Sequence, residues 1–193
     1  MQRCRSCDQP GLATILSLGR LPLANSLLSP EQLSGPEPYY PLDLAFCQDC
    51  ALVQITETVP PEILFRDYPY LSSFSDTMLS HAAQLAKRVA NERGLRETSL
   101  VVELGSNDGY LLQHYKSEGI PVLGIEPAAN IARVAEEQRG IPTLCEFFSA
   151  EVGAKLARQG HAADVVHAHN VLAHVADLNG FLRGIRHMLK EDG

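Results

Sequence analysis

Residues 100–112, read as LVVELGSNDGYLL, set the architecture of everything that follows them. The apolar run Leu100, Val101 and Val102 closes on an acidic residue, Glu103, and passes through Gly105 into an amphipathic stretch. This is the pattern of a buried strand feeding a helix. Gly105 and Gly109 bracket Ser106, Asn107 and Asp108, so the backbone turns tightly and lies close to any ligand held where the next helix begins. The alternation then continues: strands near 100–104, 121–126, 142–145 and 164–170 are expected to alternate with helices over 110–118, 128–139, 149–159 and 177–190. Four strands with helices between them predict an α/β fold with a parallel sheet and right-handed crossovers.

The composition of the turn selects among ligands. A dinucleotide fingerprint requires G-x-G-x-x-G, but counted from Gly105 the second and third glycine positions are Asn107 and Tyr110, which disfavours a nicotinamide or flavin pyrophosphate. The form E-x-G-x-x-x-G instead resembles motif I of the class I S-adenosylmethionine (SAM) methyltransferases, whose loop holds the cofactor's aminocarboxypropyl end. Glu126, in VLGIEP, lies 21 positions after Gly105 at the end of the second strand, where a carboxylate accepts hydrogen bonds from ribose hydroxyls. A glycine turn after a strand is also a common plain connection, and that reading stands beside the first.

Four of the five cysteines form two C-x-x-C pairs, Cys4 with Cys7 and Cys47 with Cys50, separated by 39 residues. Paired knuckles of this kind read as tetrahedral thiolate zinc, and four thiolates leave no open position for water, so the role is structural. Two disulfides and a redox C-x-x-C are the rival readings; neither pair opens a helix in a βαβ context. Cys145 stands alone and is expected to be a buried small hydrophobe. Residues 1–58 are rich in turn formers and have only short apolar runs, so the metal is expected to supply much of this module's stability. Six acidic against three basic side chains there, and a net charge of -7 overall, exclude a nucleic-acid partner. No apolar run is long enough for a membrane span and no signal-peptide core opens the chain, so the expected compartment is the cytoplasm.

Residues 59–98 form a connector and a covering helix. Pro60, Pro61 and Pro69 interrupt any continuous helix, yet Phe65, Tyr68, Tyr70, Leu71 and Phe74 are too apolar for a free linker. Ser75 or a neighbouring serine caps the next helix, which presents Leu79, Ala82, Ala86 and Val89 on one face and ends at Gly94.

Taken together, the motifs resemble one family, the sugar C-methyltransferases that act on nucleotide-linked 4-keto-deoxyhexoses. The matching stretches are the two C-x-x-C knuckles, LGRLPLAN at 18–25, CQDCALVQI at 47–55, YPYLSS at 68–73, LGSNDGYLL at 104–112, GIEP at 124–127 and HNVLAHV at 169–175. The resemblance implies a class I methyltransferase (Rossmann-like) sheet over 99–193, preceded by the zinc-binding module. Family members continue past the equivalent of Gly193 into the rest of a seven-stranded sheet and a carboxy-terminal domain with a Tyr-His-Glu-His segment. The chain is therefore expected to be the amino-terminal part of such a protein, with a complementing carboxy-terminal polypeptide as a partner. The strand at 164–170, central in the family, would here be an edge.

The implied reaction removes a proton from the carbon next to the keto group and transfers the methyl group of SAM to that carbon. By resemblance, Tyr70 is an acid or hydrogen-bond donor near the nucleotide-sugar substrate and His174 a proton acceptor; the family's downstream histidine is an alternative base. Glu103, Gly105, Ser106, Asn107, Gly109, Glu126 and Pro127 are the expected cofactor residues, with Phe147 over the adenine and Asn170 at the methionine portion. On pattern alone Tyr70 also reads as a core aromatic with a satisfied hydroxyl. His167 and His169, on one side of their strand, suggest a metal site with His174, although no carboxylate or thiolate completes a set at ligand spacing. Two other functions remain: a SAM-dependent methyltransferase with a different small-molecule acceptor, and a non-catalytic zinc- and SAM-binding piece that works only with a complementing chain.

Overall fold

A computed structural model describes residues 2–193. Two compact units divide them, one comprising residues 2–65 with Ala176–Asn179, the other Arg66–Val175 with Gly180–Gly193.

The amino-terminal unit is a three-stranded antiparallel sheet, β1 (Leu12–Pro22), β2 (Tyr39–Cys47) and β3 (Val53–Ile55), in the order β1-β2-β3, followed by the short helix α1 (Pro61–Phe65). Pro61 opens α1, the helical position at which a missing N–H costs nothing. The register of β1 on β2 slips between Thr14 and Leu16 and again between Ser17 and Arg20, bulges that bend the edge strand. Within residues 2–65 the buried side chains are Cys4, Ala45, Cys47 and Gln54. So small a core does not hold a domain of this size, which makes the metal part of the fold.

The second unit begins with α2 (Asp76–Arg93). Ser75 Oγ accepts from the Met78 N–H at its start, and Gly94 closes it in the left-handed conformation (φ +60°). Then follow β4 (Val101–Leu104), α3 (Leu112–Ser117), β5 (Val122–Ile125), α4 (Ala129–Arg139), β6 (Thr143–Leu144), α5 (Ala150–Arg158), β7 (Val165–His167) and α6 (Leu178–Met188). The sheet is parallel in the order β6-β5-β4-β7.

Side-chain alternation along β4 explains the layers. Val101 faces Ala82 and Ala86 of α2, Leu112 and Tyr115 of α3, and Ala135 of α4. Val102 and Leu104 face the opposite side, with Val152 and Leu156 of α5 and Phe181 and Met188 of α6. Phe148 and Phe181 meet there edge to face, their centroids 5.1 Å apart. The elements fall where the apolar spacing predicts, with shorter ends. α3 opens only at Leu112, because the glycine loop continues through Leu111, and β7 stops at His167. β7 is indeed an edge, and Val165 and Val166 are half-buried rather than bare.

One expectation fails. Cys145 is exposed, not buried: β6 is a two-residue edge strand, and the residue after Leu144 has already left the sheet.

Candidate functional site

The zinc site lies wholly in the amino-terminal unit and is built from two matching turns. In the first, Asp8 N–H donates to Cys4 O (2.9 Å) and Cys4 N–H to Gln9 O (3.0 Å); in the second, Ala51 N–H donates to Cys47 O and Cys47 N–H to Leu52 O, both at 2.9 Å. Each turn closes through a left-handed residue four places after its first cysteine, Asp8 (φ +58°) and Ala51 (φ +63°). All four sulfurs lie within 4.8 Å of one another, with Cys4–Cys50 at 3.5 Å and Cys7–Cys47 at 3.6 Å. A tetrahedral zinc with bonds of about 2.3 Å places its sulfurs about 3.8 Å apart, so the four thiols fit the ion. Although burial opposes it, the backbone of Cys7 and Ser6 and the Cys50 thiol bring the Cys4 thiol down to about 6. At Cys7 the Gln9 backbone opposes, but burial and the neighbouring thiols push the group up to about 12. A divalent ion binds the thiolate forms and so draws the thiol protons off. Among the described residues, this is the one group in which three or more metal-binding side chains converge.

The second site sits at the carboxyl ends of β4 and β5. Gly105 turns the chain at φ +62°, and an added Cβ there would meet Val171 Cγ2 at 2.6 Å. The N–H groups of Gly105 and Ser106 both donate to Ile125 O, at 2.8 and 3.2 Å, which pins the loop to the end of β5. Asn107 follows at φ +49°, a conformation asparagine tolerates better than most side chains. Its N–H donates to Glu126 Oε2 (2.9 Å), while Ala128 N–H donates to Oε1 (2.9 Å). Glu126 is therefore clamped by two backbone donors and keeps lone pairs for hydroxyl ligands. Burial raises its pKa, and those two hydrogen bonds oppose the rise.

Glu103 lies deep in the sheet, with His169 and the Tyr110 hydroxyl as its polar neighbours. It pairs in register with His167 of β7 and is 0% exposed. His169 Nδ1 donates to its Oε1 across a long 3.4 Å contact, while Oε2 is buried with no partner. Burial, helped by the charge of Glu126, drives this carboxyl up to about 7 against the opposing pull of His169 and the Tyr110 hydroxyl. A buried acceptor left open in this way fits a cationic donor such as an ammonium group. His167 stacks on His169 with centroids 5.2 Å apart and shares a 2.9 Å hydrogen bond with the Tyr115 hydroxyl. Burial, then the charge of His169, depresses the His167 pKa to about 4, so that it is neutral at pH 7.

Glu103, Gly105, Asn107, Glu126 and the half-buried Pro127 thus converge on one loop and two strand ends. The Ser106 hydroxyl, by contrast, is buried against β5, where only a glycine at position 124 leaves room: a Cβ there would lie 2.5 Å from Ser106 Oγ. Gly109 is buried at φ +76°. Asn170 is exposed at φ +54° just past β7, and His174 ends an exposed 3₁₀ turn, Leu172–His174. Val171 of the same segment touches Gly105. Phe147 is half-buried in the loop after β6, at the opposite edge of the sheet from Asn170. Tyr70 is 47% exposed rather than core, and its carbonyl accepts from Asn107 Nδ2 at 3.1 Å.

Sequence reasoning missed His169 as a partner of Glu103, and missed Asn130, Asp108 and Arg139. The strand register carries the first; nothing local marks the others, which act through tertiary contacts.

Residues 4–65 match a family model described as "Putative zinc binding domain", and residues 102–193 match one described as "Methyltransferase domain". All 193 residues align at 34% identity with 46% of "C-methyltransferase NovU" from Streptomyces niveus. A 118-residue stretch, 61% of the chain, is 27% identical to 45% of "Ubiquinone biosynthesis O-methyltransferase" from Azorhizobium caulinodans. Among solved structures, the YcgJ protein from Bacillus subtilis superposes with a TM-score of 0.47 at 16% identity, over 59% of this chain and 48% of that one. The chain spans about half the length of the curated relatives it matches. With four converging thiols in one unit and an acid-flanked glycine loop in the other, the chain joins a stretch that matches a zinc-binding domain to one that matches a methyltransferase domain.

Proposed function

We propose that this chain supplies the zinc-binding and cofactor-binding portions of a SAM-dependent C-methyltransferase that methylates the carbon next to the keto group of a nucleotide-linked 4-keto-deoxysugar. The observation that carries the reading is the pair of buried carboxylates flanking one glycine loop, Glu103 with an open Oε2 and Glu126 with both oxygens held by backbone. Glu103 accepts the ammonium of the aminocarboxypropyl group; Glu126 accepts the ribose hydroxyls. Gly105 keeps the backbone close to the ligand because any Cβ would strike Val171. The alignment of the whole chain with 46% of a C-methyltransferase supports carbon as the acceptor atom.

When bound, SAM supplies an electrophilic methyl group on its sulfonium sulfur. The chain's own residues supply the rest. The His174 imidazole takes the proton from the carbon next to the keto group, and the Tyr70 hydroxyl donates to the keto oxygen as negative charge develops there. Pro127, Phe147 and Asn170 bound the cofactor around the ends of β5, β6 and β7. The zinc is structural, holding a unit with little core of its own.

Calorimetric titration with SAM, with zinc measured on the same sample, tests the reading. SAM binding with one zinc per chain, followed by methyl transfer to a nucleotide-linked 4-keto-deoxyhexose, is the expected result. A zinc-loaded, folded chain that takes up no SAM overturns it.

A further inference from the structure

Residues 68–71 form neither strand nor helix and run into the 3₁₀ turn Ser72–Phe74, yet side chains of the glycine loop and α4 take up backbone polar groups at Tyr68, Tyr70, Ser72 and Ser73. Asn107 Oδ1 accepts from Ser72 N–H at 2.8 Å and its Nδ2 donates to Tyr70 O at 3.1 Å, as a neighbouring strand would. Asp108 Oδ2 accepts from Ser73 N–H at 3.4 Å. Arg139 joins the two segments: it donates to Ser73 Oγ (2.7 Å) and to Asp108 O (2.9 Å), and its Nη2 lies 3.3 Å from Asp108 Oδ2. Asn130 adds a rung at Tyr68, donating to its carbonyl at 2.8 Å and accepting from its N–H at 3.4 Å.

Packing holds this strap weakly. Tyr70 and Phe74 are 47% and 89% exposed and Tyr68 and Leu71 only half-buried, so no side chain of 68–74 is fully buried, and the hydrogen bonds to the loop fix its path. On the other side of the same loop, the Asn107 N–H is held by Glu126. One residue therefore faces both ways, its backbone toward the ribose carboxylate and its side chain toward the strap. Tyr70 is also near enough to Tyr110 to add to the rise in that phenol's pKa, behind burial, Glu103 and Asp108.

We propose that Asn107, Asp108 and Arg139 are positioning residues for Tyr70: the loop that takes the cofactor also fixes the strap, so that occupancy of the cofactor site orders the residue that meets the substrate. The inference rests on the SAM reading of the loop and deepens it. Its consequence is an order of binding, cofactor before acceptor, because the acceptor's hydrogen-bond donor is set in place by the loop.

Amide hydrogen exchange of the zinc-loaded, full 193-residue chain tests this, with S-adenosylhomocysteine as the probe ligand. Asn107→Gly keeps the left-handed backbone and the N–H to Glu126 but removes both strap bonds; Ser72 exchange should accelerate on the order of tenfold, with or without ligand. Asn107→Asp retains the acceptor for Ser72, and should restore protection at Ser72, a rescue that general destabilisation would not produce. In the wild type, S-adenosylhomocysteine should slow exchange across 68–74. Equal Ser72 exchange in wild type and Asn107→Gly overturns the latch. Ligand binding that leaves strap exchange unchanged overturns the coupling alone, whereas no ligand binding at all overturns the cofactor reading, and the unliganded comparison still decides the latch. Ser73→Ala, which removes the Arg139 rung from a small half-buried residue, should accelerate exchange over 72–74 and keeps the test decisive if Asn107→Gly does not fold.

Discussion

Replacing Glu103 by Gln should stabilise the protein at alkaline pH while abolishing cofactor binding, two effects of opposite sign from one residue. Glu103 is 0% exposed, and burial moves its carboxyl from 4.5 to about 7. The folded chain therefore holds a proton that the unfolded chain releases, and the wild type loses stability from this group as pH rises from about 4.5 to about 7. Above that window the loss is complete. A rise of about 2.5 units corresponds to about 3 kcal/mol at pH 8, an upper value because the amide also leaves one polar atom without a partner. His167 works in the other direction: its pKa is depressed to about 4, so its contribution to stability rises with pH between about 4 and 6.5. The clean quantity is thus the difference between wild type and Glu103→Gln, which removes the His167 contribution. Urea unfolding at pH 5 and pH 8, followed by near-ultraviolet CD of the buried Tyr110 and Tyr115, measures it. The variant should gain little at pH 5 and most at pH 8, and calorimetry should show no S-adenosylhomocysteine binding. A variant no more stable than wild type at pH 8, or one that binds the ligand normally, would refute the isolated-carboxylate argument.

Removing zinc with a chelator, or replacing Cys47 by Ser, should unfold the amino-terminal unit and leave the parallel sheet's helical CD signal in place, since the buried side chains of residues 2–65 are few and include two of the ligands. Ala51→Gly should raise the zinc unit's unfolding midpoint by relieving a left-handed alanine (φ +63°), a gain of about 1 kcal/mol in urea denaturation. Gly105→Ala should destabilise the second unit by more than about 2 kcal/mol, because it adds a left-handed penalty to a 2.6 Å clash with Val171. In a protein that turns over, His174→Gln should lower kcat about 10²- to 10⁴-fold, and an unchanged kcat would remove His174 from the reaction.

The sequence alone determined the two halves of this chain. Paired cysteines need only their own local turns to present sulfurs, so the knuckles at Cys4/Cys7 and Cys47/Cys50 were legible from spacing. Apolar alternation and glycine turns placed all four strands of the parallel sheet, and Ser75 and Gly94 marked both ends of α2. Glu126 was legible because a strand followed by a short turn fixes its distance from Gly105. Residues whose partners are remote in sequence were not. Cys145 was misread because the pattern does not say that β6 is only two residues long and at the edge. His169 meets Glu103 only because β7 pairs beside β4, and Arg139 meets Asp108 and Ser73 only because α4 returns its carboxyl end to the loop. Local spacing dictates turns, knuckles and strand–helix alternation because those are settled by a few neighbouring dihedrals. Which acid keeps a buried oxygen open, and which asparagine holds the strap, was decided by strand order and helix packing, where contacts form between segments that no local pattern ties together.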